Sequence, residues 1–140
     1  DLPAEVDLGA YPAYFRRNFH WQSDGYLSRR SAELYDVGVE LVFLGVADVM
    51  RRQTIPPLRR HLDALPAGPK RILDVACGAG ALLRQLAIAF PDDKLHGVDL
   101  SPHYVDVACA RYQAETGDKP ILEATGEPHD FRGEKAPEEP

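Results

Sequence analysis

Ile72-Leu73-Asp74-Val75-Ala76-Cys77-Gly78-Ala79-Gly80 is the stretch on which the reading of this chain turns. From Arg71 to Val75 the chain is short, mostly apolar and β-branched at two positions, then runs into a turn with two glycines. Such a run reads as a buried parallel strand, because strands covered on both faces lose the polar alternation of half-exposed ones. The next residues, 81–90, have helical composition and period, and Pro91-Asp92-Asp93 ends them. A second strand is predicted over 94–99. Ser101-Pro102 then starts a helix: serine can cap it, and proline at the first position gives up an amide that had no partner. That helix is predicted to reach about residue 115, with a third short strand over 120–124. The order strand–helix–strand–helix–strand is the first half of a doubly wound parallel sheet.

The turn carries the chemistry. Glycines between a strand and a helix let a ligand approach the backbone closely and meet the amides of the helix N-terminus. Asp99 closes the second strand, nineteen residues after Gly80. In doubly wound folds an acid there accepts hydrogen bonds from ribose hydroxyls. The pair points to a nucleoside cofactor. A dinucleotide fingerprint would want a third glycine where Leu83 stands, to let helix and strand pack closely. Asp74 at the head of the turn suits an amine-bearing ligand better than a pyrophosphate, and no Gly-Lys-Ser/Thr sequence forms a P-loop.

Outward from this core the chain changes character. Residues 1–28 form an aromatic N-terminal arm in which Tyr11, Tyr14, Phe15, Phe19, Trp21 and Tyr26 sit among glycines and prolines. That ring density predicts a segment packed against another surface. Residues 29–69 are predicted to be helical. Ser28 or Ser31 caps a long helix over 30–52, whose Leu34, Val37, Leu41 and Leu44 recur at helical steps, and a shorter helix follows over 58–65. Residues 70–125 hold the sheet, and 126–140 form an irregular acidic tail. Across its 140 residues the chain has 22 acids and 16 bases, for a net charge of -6. Nothing in that balance favours phosphate neutralisation, so nucleic acid is not an expected partner. The paired arginines 16–17, 29–30, 51–52 and 59–60 read as solvated faces or salt-bridge partners beside nearby acids. Cys77 and Cys109 are too few for a disulfide scaffold or a four-thiolate zinc site, and the five histidines lack ligand spacing, so no metal is expected. The apolar stretch 39–50 contains Glu40 and Asp48 and is too short to span a bilayer.

The segment 72–80 resembles the first motif of class I S-adenosylmethionine-dependent methyltransferases, with Ala76 in place of a common glycine. Gly97-Val98-Asp99-Leu100-Ser101-Pro102 is similar to their second motif. The arm over 11–22 and the segment 31–36 look like a cyanobacterial and plastid-type subgroup. The resemblance implies S-adenosylmethionine as cofactor. Asp74, Ala76, Gly78 and Gly80 would surround its methionine part, Asp99 would hold the ribose and Leu100 would touch the adenine; no catalytic residue is assigned. Thr125 stands where many members carry an acid that contacts the adenine amino group. Family strands beyond the third are not found before Pro140.

The expected fold is therefore α/β: an incomplete doubly wound, Rossmann-like parallel sheet preceded by an aromatic arm and helices. The expected function is methyl transfer to an unidentified acceptor, with this chain as the cofactor-binding N-terminal half. The alternative is a non-catalytic, methyltransferase-like subunit of a larger plastid or membrane-associated complex, with protein partners covering the open sheet edge and the arm. An intracellular setting, cytoplasmic or plastid, goes with either.

Overall fold

The computed structural model describes residues 7–17, 25–120 and 126–130. Two single-turn helices, Leu8–Ala10 and Ala13–Arg16, open it. Then come α1 (Arg29–Val42), α2 (Ala47–Arg52), α3 (Ile55–Asp63), β1 (Arg71–Val75), α4 (Ala81–Ala89), β2 (Lys94–Val98) and α5 (Pro102–Thr116). The two strands pair in parallel, with Arg71 opposite Lys94 and Val75 opposite Val98. Cys77 extends the ladder by donating its amide to the Val98 carbonyl at 3.0 Å. This is a partial Rossmann-like α/β arrangement, and its strands and the helices between them fall where the sequence predicts. Residues 121–124 of the proposed third strand, Thr125, Phe19, Trp21 and most of the acidic tail lie outside the described residues.

The long helix expected over 30–52 is two helices. Leu44 and Gly45 both adopt positive φ, 54° and 79°. The Leu44 amide donates to the Leu41 carbonyl and the Gly45 amide reaches back to Glu40, the two bonds of a Schellman terminus. The side chain of Glu40 then serves the next helix, accepting from the amides of Ala47 at 3.3 Å and Asp48 at 3.0 Å. One glutamate ends α1 with its backbone and caps α2 with its carboxylate.

The apolar stripe Leu34–Val37–Leu41–Leu44 does not face a core either; all four are exposed. The buried face of α1 is smaller and more polar. Ser28 caps the helix by accepting from the Ser31 amide, which leaves Ser31 free for tertiary work. Its hydroxyl donates to the Gly25 carbonyl at 2.6 Å and lies 3.3 Å from the Tyr104 hydroxyl of α5. Ala32 beside it packs with Ala79, Tyr104 and Val107, flanked by Tyr26 and Tyr35. The described part of the arm joins this seam through Phe15, whose ring lies 5.2 Å from that of Tyr26. A second core, Ile72, Leu86 and Phe90, joins β1 to α4, with Leu58 and Leu62 of α3 against it.

Candidate cofactor site

The C-terminal ends of β1 and β2 bring together the residues that the sequence singles out. Asp74 lies opposite Gly97 in the register, one step before the ends of both strands. Beyond Val75 the turn is built from left-handed backbone: Ala76 at φ 61°, Gly78 at 55° and Gly80 at 80°. Gly80 is the N-cap of α4, and a Cβ there would lie 3.0 Å from that of Ala108 in α5. Glycine is thus needed for close approach as well as for its dihedral angles.

Asp99 holds the turn in place. One carboxylate oxygen accepts from the Gly78 amide at 2.8 Å, the other from the Ser101 amide at 2.9 Å. A carboxylate has about four lone-pair sites, so two remain for a ligand. Ser101 occupies the N-cap position of α5, but its hydroxyl does not cap the helix. It donates instead to the Tyr26 carbonyl at 3.0 Å and ties the aromatic seam to the site. Asp99 has taken over the Ser101 amide, and the hydroxyl is released for this longer reach.

Asp74 differs from Asp99. Its half-buried carboxylate makes no hydrogen bond or ion pair among the described residues. Burial, and then the charge of Asp99, push its pKa above the ordinary carboxylate value. The Cys77 thiol is pushed up to about 11, first by burial and then by Asp99 and Asp74. It stays protonated near neutrality and acts as a small packing group rather than a nucleophile. Leu100 is exposed just past the strand end.

Sequence reasoning passed over Gly97. A Cβ at this position would lie 2.5 Å from Leu83 Cδ1 and 2.9 Å from Cys77 Sγ. Leu83 stands where a dinucleotide fingerprint has a glycine, and its bulk on the helix would hold helix and strand apart. Gly97 removes the obstruction by supplying the missing volume from the strand instead of the helix. A glycine inside a strand is a sign of such close approach, and it was there to be read.

Among the described residues no helix is long and apolar enough to cross a membrane, and no three potential ligands cluster as a metal site would require. Comparison with curated proteins and with solved structures gives no significant match. Residues 72–136, the stretch from β1 through the glycine turn to α5 and beyond, match the family model of a methyltransferase domain, and with the strand–helix order and the turn this supports a methyltransferase domain in this part of the chain.

Proposed function

We propose that the chain binds S-adenosylmethionine at the β1–α4 turn and serves methyl transfer as the cofactor-binding part of the enzyme. The observation that carries this reading is the pair of unlike acids at the strand ends. Asp74 is half-buried without a partner, which suits the ammonium of the cofactor's methionine part. Asp99 is fixed by two amides and keeps lone pairs for the ribose hydroxyls. Gly78 and Gly80, with Ala76, would let the methionine part lie against the backbone, and Leu100 would face the adenine. The bound cofactor supplies an activated methyl group on a sulfonium. What these residues contribute is position: a fixed turn and two anchored ends restrict the cofactor's orientation toward an acceptor.

Calorimetric titration with S-adenosylmethionine tests the site. The wild-type chain binds, and Asp74→Ala weakens binding by about 1.5–3 kcal/mol, the value of a hydrogen bond to a charged group. Asp99→Ala also loses affinity, and loosens the turn that Gly78 and Ser101 share with it. No binding by the folded wild type overturns the proposal. An affinity unchanged in Asp74→Ala removes the role given to that acid.

One observation favours a second reading. Leu73, Val75 and Val98 are exposed on one face of the two-stranded sheet. Apolar strand faces of this kind are normally covered. In this reading the chain is a non-catalytic subunit of a larger complex, plastid or membrane-associated; the plastid setting is what the resemblance of its arm implies. A protein partner then covers that face and the edge of β1 that no other described strand pairs. Protection, in the isolated chain, of the β1 amides that β2 does not pair weighs against it.

A further inference from the structure

We infer that the turn between α1 and α2 is a membrane-docking tip, seated among the headgroups of a phospholipid bilayer surface. Leu41, Val42, Phe43 and Leu44 are consecutive and all exposed. Val46, Val49 and Met50 carry the exposed apolar surface on into α2. Leu44 stands at positive φ on the turn and is 90% exposed, and a Cβ on Gly45 beside it would meet nothing within 4 Å. The turn therefore projects from the molecule. A contiguous apolar projection of this kind marks an interaction surface.

Two observations point to lipid as what covers it. The first is that the apolar surface runs around the tip. Leu41 and Val42 close α1, Phe43 caps it and Leu44 turns out of it, so the four side chains do not share one face. A protein partner covers one face of a helix end, whereas a tip apolar on several sides suits a medium that surrounds it. The second is the placement of charge. Every acid of α1 and α2 is already paired: Glu33 with Arg29 at 3.2 Å, and Asp36, Glu40 and Asp48 with Arg51 at 3.4, 3.5 and 3.1 Å. No free carboxylate therefore repels lipid phosphates near the turn. Arg52, Gln53 and Thr54 form an exposed polar collar at the far end of α2, and Arg52 has no ion pair among the described residues. The six residues of α2 span about 9 Å. Interfacial segments bury their apolar surface about 5–10 Å deep, which brings the Arg52 guanidinium to the level of the phosphates.

The test is flotation of the full chain with phosphatidylcholine vesicles. The wild type floats with them and still does so at high salt, because apolar burial drives the association. Leu44→Asn weakens the partition about tenfold or more, the share of one leucine side chain kept in water. Asparagine accepts the left-handed backbone, so the circular dichroism of this variant stays that of the wild type. Leu73→Ala, on the exposed face of the sheet, leaves the partition unchanged. Failure of the folded wild type to float overturns the inference, and so does flotation lost at high salt or undiminished in Leu44→Asn. A chain that ignores vesicles but forms a dimer which Leu44→Asn dissociates also overturns it, since the tip is then a protein interface.

Discussion

The two faces of the β1–β2 sheet are built from one continuous run of sequence and have opposite fates. On one face Ile72 is 8% exposed and lies beneath Leu86 and Phe90 of the α4 region. On the other, Leu73 is 59% and Val75 70% exposed. Neighbouring residues point to opposite faces, so a run such as Ile72-Leu73-Asp74-Val75 specifies that both sides can be buried. It does not specify what covers each side. Truncation measures the asymmetry most directly. Leu86→Ala should cost about 2–5 kcal/mol in denaturant unfolding, the transfer term plus a cavity. Leu73→Ala should change stability by no more than about 0.5 kcal/mol. A loss above about 1.5 kcal/mol for Leu73→Ala would break the comparison and show that the second face is covered in solution.

Gly97 sharpens the contrast, because it makes the covered face close-packed. Gly97→Ala places a methyl against Leu83 and Cys77 and should cost about 1–3 kcal/mol. Truncating Leu83 in the same chain should restore part of that loss, since residues in contact do not act additively. If the two effects simply add, the glycine is not there to admit Leu83.

The same contrast marks how much was legible. Strand and helix order could be read because the signals are local: apolar runs, a glycine turn, Pro91 and Pro102 as punctuation. Where Leu34, Val37 and Leu41 point could not. A helical stripe predicts an apolar face, but a neighbour must be present to bury it, and the contacts of α1 run through Ser31, Ala32 and Tyr35 instead. The helix break at Leu44 was hidden for a related reason. Leucine strongly favours helix, yet a Schellman terminus forces Leu44 to φ 54° and leaves the residue 90% exposed. At the candidate site, both acids and both glycines could be named from spacing. Their division of labour could not, because only the folded turn shows Asp99 engaged by two amides and Asp74 by none.

Ala76 offers a smaller perturbation on the same turn. A left-handed conformation costs a non-glycine residue roughly 1–2 kcal/mol, and glycine's greater freedom in the unfolded chain returns about 0.5–1 of it. Ala76→Gly should therefore stabilise the chain by about 0.5–1 kcal/mol in denaturant unfolding. A destabilised variant would mean that the Ala76 methyl contributes packing that outweighs its strained backbone.

The smallest expected effect separates the two acids by pH. The pKa of Asp74 is raised in the folded chain, so the folded state binds its proton more readily than the unfolded state does. That preference adds stability below the unfolded value of about 3.9 and is lost as pH rises through the folded pKa. At neutral pH, Asp74 is then a half-buried charge facing Asp99 without a partner. Asp74→Asn should raise stability at pH 7 by about 0.5 kcal/mol, a value kept small because water still screens the group. The gap between variant and wild type should close as the pH falls below 4. Asp99→Asn has no such profile to offer, since it weakens acceptors that hold Gly78 and Ser101 and should destabilise at neutral pH. Unfolding curves of both variants at pH 7 and pH 4 decide the matter. A residue that weakens the fold when charged, and whose replacement strengthens the fold while weakening S-adenosylmethionine binding, is kept for the ligand. If Asp74→Asn destabilises at pH 7, Asp74 has a structural partner, and the assignment of its charge to the cofactor's ammonium loses its ground.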